Sequence, residues 1–201
     1  MPRPRLHDLD ALMDVAERMA VESGPAAVTV RALSQAAGVS NGAIYHAFGS
    51  RPALLGRVWL RAARGFLALQ RQAVRSAQGG AVEAVVAAAD TPAEFLVRQP
   101  VSARFLLAVA REELLGSGDI PDDLAAELRH LDRVLTELFV TLSHDVFARD
   151  DREAVAVIRD CVVELPTALL LRGNRAPAPP VRERLAAAVR AVLALTPPPP
   201  T

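Results

Sequence analysis

The sequence predicts an all-α chain, and three observations lead there. Hydrophobic residues make up 51% of the 201 residues but aromatics only 4%, so the core has to be built from Ala, Val and Leu, of which Ala and Leu favour helices. Apolar residues recur at spacings of three and four through successive segments, and none alternates with the period of two that a half-buried strand requires. Gly and Pro gather between these segments and punctuate them.

The elements follow in order. Leu9, Leu12, Met13, Ala16, Met19 and Ala20 lie on one face of a first helix, about 5–22, and Gly24-Pro25 breaks it. Thr29 caps a short second helix, about 30–36, with Val30, Leu33 and Ala37 inward. Gly38 leaves that helix in a left-handed conformation, and Ser40 caps a third, about 41–47, that turns Ile44 and Phe48 inward. Gly49-Ser50 ends it. A long fourth helix, about 51–77, carries Pro52 in its first turn, where the missing N–H costs little. Its apolar stripe is Leu54, Leu55, Val58, Trp59, Ala62, Phe66 and Leu69. Beyond Gly79-Gly80 the expected helices are about 81–89, 92–98, 101–115, 121–147, 151–172 and 181–195. Pro166 lies inside one of them and should bend it. Pro197–Pro200 should fray.

The charge is sorted along the chain although its net value is zero. From Ser23 to Val82 there is no acid, but there are seven Arg: Arg31, Arg51, Arg57, Arg61, Arg64, Arg71 and Arg75. A basic block beside an acidic remainder is either the footprint of a nucleic-acid-binding head or an ordinary solvated Arg face. Cys161 is the only cysteine, which excludes an internal disulfide and fits a reducing cytoplasm. Asp8, Asp10 and Asp14 interrupt the first apolar segment, so no signal peptide is expected there. No uncharged run of about 18 apolar residues offers a membrane span. No metal-ligand spacing, phosphate loop, nucleophile elbow or HExxH motif is present, and no enzyme and no cofactor are expected.

The segment from Thr29 to Phe48 reads TVRALSQAAGVSNGAIYHAF. It meets the demands of a helix-turn-helix together: small residues where the helices cross (Ala36, Ala37), a turn residue tolerant of positive φ (Gly38), and an apolar pin (Val39). A second helix then offers its N-terminal residues to a major groove, with Ser40, Asn41, Ala43 and His46 outward. The segment resembles the DNA-binding region of TetR-type regulators. The matching residues are Thr29, Arg31, Leu33, Ser34, Ala37, Gly38, Val39, Ser40, Gly42, Ile44, Tyr45, Phe48, Ser50, Arg51, Leu54 and Leu55. Two positions depart from that pattern: Ala47 stands where His or Tyr is usual before the Phe, and Pro52 replaces an acid.

The resemblance implies an N-terminal three-helix head, residues 1–50, packed on a helical ligand-binding and dimerisation domain, 51–196, with a disordered Pro-rich tail at 197–201. It implies that Arg31 reaches a base edge or phosphate, that Asn41, Gly42 and Ala43 face bases, and that Tyr45 and Arg51 hold phosphates. His46 lies on the same outward face, and Thr29 and Ser40 can offer hydroxyls or amides to phosphate at helix N-termini. It also implies a homodimer on a palindromic double-stranded operator, released by a small hydrophobic or amphipathic effector of unspecified identity. Leu124, Leu128, Leu131, Leu135, Leu138 and Leu142 stripe one long helix. The next, with Val155, Ile158, Val162, Val163, Leu165, Leu169 and Leu170, is apolar around much of its circumference. Such a helix is buried on two sides, either within one core or between core and dimer seam.

Candidate effector-lining residues are Phe66, Leu69, Phe95, Phe105, Leu106, Phe139, Leu142 and Cys161, each of which also fits plain core. Arg104, Glu112 and His144 are weighed as polar anchors and expected on the surface. The fourth helix, reaching from head to body, is expected to carry a two-state shift, reported by Trp59. An activator or a small-molecule-sequestering protein of the same fold are the alternatives.

Overall fold

The computed structural model describes residues 6–171 and 178–199, and among these every regular element is helical. The elements are α1 (Leu6–Ser23), a 3-10 turn (Pro25–Ala27), α2 (Val30–Ala37), α3 (Asn41–Phe48), α4 (Arg51–Ser76), α5 (Ala81–Arg98), α6 (Pro100–Ala108), α7 (Arg111–Leu115), α8 (Asp122–Phe147), α9 (Arg152–Arg159), two π-helical stretches (Asp160–Glu164 and Thr167–Leu171) and α10 (Pro179–Leu193). The chain divides into two compact units, residues 1–64 with 100–131 and residues 65–99 with 132–201. The first unit claims the start of α4, and it claims α6, α7 and the start of α8 because Phe105, Val109 and Leu114 share a core with α1 to α4.

That first core is built by the predicted stripes: Leu12, Ala16 and Ala20 of α1, Leu33 of α2, Ile44 and Phe48 of α3, and Leu54, Leu55 and Val58 of α4 are all buried. Leu124 and Leu128 of α8 are buried in the same unit. Where one helix was expected over 101–115, the structure has α6 and α7 with a break at Val109 and Ala110. No Gly or Pro marks it. Instead the Trp59 indole N–H donates to the Val109 carbonyl at 3.1 Å, and the Arg111 guanidinium lies 5.9 Å from the Trp59 ring centre.

In the second unit α5 runs unbroken through Pro92, where two helices, about 81–89 and 92–98, were expected. Proline removes one N–H, which leaves the carbonyl four residues back without its helical donor. That carbonyl belongs to Ala88, and the buried Gln70 side chain of α4 donates Nε2 to it at 3.3 Å. The small residues Ala88, Ala89 and Ala93 of α5 share a core with Leu185 and Val189 of α10 and with Ile158 and Cys161. Two ion pairs flank the α5–α10 packing in antiparallel register. Arg190 Nε meets Glu83 at 2.7 Å, and Arg182 Nε meets Asp90 at 2.8 Å.

Pro166 lies between two π-helical stretches, Asp160–Glu164 and Thr167–Leu171, and such bulges absorb interruptions of the α-helical ladder. The tail also differs from expectation. Pro197 is buried, and Arg149 donates to the carbonyls of Pro197 (3.3 Å) and Pro198 (2.8 Å) while pairing with Asp151, the N-cap of α9. Residues 200 and 201 lie outside the described residues.

Candidate DNA-binding face

α2, the turn and α3 follow local chemistry. The Thr29 hydroxyl accepts from Ala32 N at 3.1 Å and the Ser40 hydroxyl from Ala43 N at 3.2 Å, so each caps its helix. Gly38 has φ 68°, the left-handed conformation glycine adopts without Cβ strain. Ser34 stitches the turn, a role the sequence reading did not assign. Its carbonyl accepts from Gly38 N and Val39 N, and its hydroxyl donates to the Val39 carbonyl at 2.5 Å. Val39 packs on the core, as a pin should.

With Leu33, Ile44 and Phe48 buried, the opposite face of the motif is open. Thr29, Arg31, Ser40, Asn41, Gly42, Ala43, Tyr45 and His46 are all exposed. Tyr45, the only tyrosine, is 56% exposed, which an aromatic residue of a plain core would not be. A Cβ built on Gly42 would meet only the Ser40 hydroxyl, at 3.9 Å. The protein's own packing therefore gives no reason for glycine there. Arg31 makes no ion pair among the described residues. Ala47 is half-buried against the core, so the side chain before Phe48 does not reach this face.

The basic block is less of a footprint than its sequence suggests. Arg61 is gripped by three carboxylates of α1, at 2.8 Å from Asp14, 2.9 Å from Glu17 and 3.8 Å from Asp10. Arg64 pairs with Glu127, and Arg71 and Arg75 belong to the second unit. Arg51 turns inward. Its Nε donates to the Val28 carbonyl and its NH2 to the Pro25 carbonyl, each at 2.6 Å. Pro52 does not displace the helix start, because Ser50 caps α4 through Ala53 N at 3.1 Å.

The eight expected effector-lining residues do not converge. Phe105 is buried in the first unit's core, and Leu106 is half-buried on α6. Phe139, Leu142 and Cys161 are buried in the second unit's core, where burial pushes the Cys161 thiol up to about 12. Phe66 and Phe95 meet edge to face at 5.5 Å, which makes them packing partners. Only Leu69 lines a described groove. That groove, of about 340 Å³, runs between α4 and α5 and is walled by Leu69, Gln72, Ala73 and Ser76 opposite Ala87, Asp90, Thr91, Glu94 and Arg98. The signal that could have found it is the stripe of polar residues three and four apart on α5. Its carboxylates are engaged. Arg98, four residues on, hydrogen-bonds Glu94 and holds its carboxyl below the usual range. Arg104, Glu112 and His144 are exposed, as expected. Among the described residues no His, Cys, Asp and Glu cluster fits a metal, and no helix is long and apolar enough to cross a membrane.

Comparison with known proteins gives the same assignment for the head. Residues 12–58 match the model of bacterial regulatory proteins of the tetR family. No curated protein sequence matches the chain. Solved structures extend the likeness to the whole fold. The TetR family regulator PfmR from Thermus thermophilus is 22% identical, with a TM-score of 0.66 over 91% of this chain and 97% of its own. The ketosteroid transcriptional regulator KstR2 of Mycobacterium tuberculosis is 17% identical, with a TM-score of 0.65 over 92% and 93%. The superantigen PfiT is 18% identical, with a TM-score of 0.71 over 94% and 97%. These likenesses concern the fold, and the family match concerns the helix-turn-helix and its flanks. Residues 12–58 therefore carry a DNA-binding head of the tetR type, and the chain as a whole shares the fold of the TetR-family regulators it resembles.

Proposed function

We propose that the chain is a repressor that binds a palindromic operator as a homodimer and leaves it when a small hydrophobic or amphipathic effector binds the second unit. The observation that carries the DNA reading is the face itself: exposed, acid-free, with a bare Gly42 that packing does not explain. On it, Arg31 and Asn41 have the donors to read base edges, and Ala43 offers a methyl-sized contact to thymine. Thr29, Ser40 and Tyr45 hold phosphates, and His46 extends the same outward surface. Gly42 allows the backbone of α3 to approach.

Dimerisation is supported by apolar surface on the last helical segments. Leu169 is 39% exposed and Leu195 69% exposed, with Ala187 and Ala191 open on α10. A two-fold dimer presents two recognition helices to two half-sites, which is why a palindrome is expected. The groove between α4 and α5 supports an amphipathic effector, because its volume lies within the range of ligand sites and its walls combine alanines and Leu69 with charged groups.

The test is selection of duplexes from a randomised pool by the full chain, with its mass in solution measured alongside. A two-fold symmetric consensus bound by a dimer is expected, and a reporter under the chain's own upstream promoter should rise when the protein is deleted. An asymmetric consensus bound by a monomer overturns the dimer-operator reading. A reporter that falls on deletion makes the protein an activator.

A further inference from the structure

The corner between the 3-10 turn and α2 leaves a carbonyl without a helical partner. The first bond of the α2 ladder runs from Leu33 N to Thr29 O at 2.9 Å, so the Val28 carbonyl lies just outside it. Val28 is fully buried, and a buried unpaired carbonyl is costly. Arg51, the first residue of α4, supplies the donor through Nε and reaches the Pro25 carbonyl through NH2. Arg51 is half-buried and makes no ion pair among the described residues. Only a planar fork can serve both carbonyls at once, and the ammonium of a lysine is a single point.

What this clamp encloses gives it a function. Arg51 and Val28 are 23 positions apart, and the whole helix-turn-helix lies between them. α3 ends at Phe48, and only Gly49 and Ser50 separate it from Arg51. The two bonds therefore close the segment that carries both helices and tie its exit to its entrance. The Nε–NH2 edge of the guanidinium, one of its two bidentate edges for an anion, is taken by backbone. We propose that Arg51 is a positioning residue and not a phosphate ligand: it holds the recognition helix in its DNA-reading orientation by clamping the carbonyls of Pro25 and Val28. This rests on the reading of the α2–α3 face as the DNA-binding surface.

The experiment compares wild type, Arg51→Lys and Arg51→Ala, as full chains, on the duplex that wild type selects from a randomised pool. Affinity is measured across a salt series, and amide exchange is followed in the free proteins. Each phosphate contact contributes about 0.9 to the slope of log affinity against log salt. A clamp predicts that both variants lose about tenfold in affinity, that the salt slope stays at the wild-type value, and that exchange quickens between residues 24 and 50 while α5 and α10 keep their protection. Because Lys keeps the charge, rescue by Arg51→Lys overturns the proposal. So does a slope that falls by about one phosphate in Arg51→Ala. Should Arg51→Ala unfold the head outright, Arg51→Lys alone carries the decision. If wild type itself binds no duplex, the DNA reading fails and the proposal with it, an outcome seen without any variant.

Discussion

Replacing Gln70 by Leu should destabilise the second unit through a carbonyl that Pro92 has stripped of its donor. In the native chain Gln70 Nε2 donates to Ala88 O at 3.3 Å, and both residues are buried. Gln70→Leu leaves that acceptor buried and unpaired, which costs about 1–3 kcal/mol. Part of this is offset, because the Gln70 Oε1 is itself buried without a partner and disappears in the same substitution. The net cost should therefore lie near the lower end, about 1 kcal/mol. Pro92→Ala returns an N–H to the helix at the position that bonds Ala88 O. In the Pro92→Ala background the Gln70→Leu cost should then shrink by about 1 kcal/mol. Urea unfolding of the four proteins of this double-mutant cycle, followed by far-UV circular dichroism, measures the coupling. Equal Gln70→Leu costs in both backgrounds, within about 0.5 kcal/mol, would refute the reasoning.

Gly42→Ala and Gly38→Ala should behave oppositely. The new methyl at Gly42 meets only ordinary contact, so the free protein gains up to about 1 kcal/mol while duplex affinity falls severalfold; undiminished affinity would show that α3 does not approach DNA closely there. Gly38→Ala has open space but a φ of 68°, and it should cost about 1–2 kcal/mol in thermal unfolding. Asp151 should make the chain acid-sensitive, since hydrogen bonding to Arg149 lowers its carboxyl from 3.8 to about 2. A carboxyl whose folded value is depressed contributes stability above its unfolded value and loses it as pH falls through the folded one. The thermal midpoint of wild type relative to Asp151→Asn should thus be constant above about pH 4 and decline toward pH 2. A difference that persists unchanged at pH 2 would contradict this.

The first three helices and the turn between them were legible because their signals are local. Thr29, Gly38 and Ser40 act within three or four residues of themselves, and the stripe of α1 needs only its own periodicity. The failures share the opposite property. Continuity of α5 through Pro92 depends on Gln70, 18 positions away. The break after α6 depends on Trp59, 50 positions away. Arg149 holds the Pro-rich tail from 48 positions away. The same distance explains the charges: Arg61 is a free cation in the sequence, but in the fold it faces Asp10, Asp14 and Glu17. Arg51 matched a family pattern, yet its direction is set by the carbonyls of a 3-10 turn that the sequence reading saw only as a helix stop. The effector candidates scattered because an aromatic or leucine at helical spacing says that it is inside, and nothing about which core it enters.

The central claim is that the exposed face of α2 and α3 grips duplex DNA, and the salt dependence of duplex binding by wild type and Arg31→Ala tests it most directly. Arg31 is exposed and makes no ion pair among the described residues, so its charge is available to a polyanion. The account predicts wild-type affinity that falls linearly in log–log coordinates with salt. Arg31→Ala should either lower the slope by about 1, as a phosphate contact would, or relax base preference at one position of each half-site by about 1–3 kcal/mol, as a guanine contact would. Wild-type binding to no duplex at any salt, or an Arg31→Ala protein equal to wild type in affinity, slope and sequence preference, would contradict it.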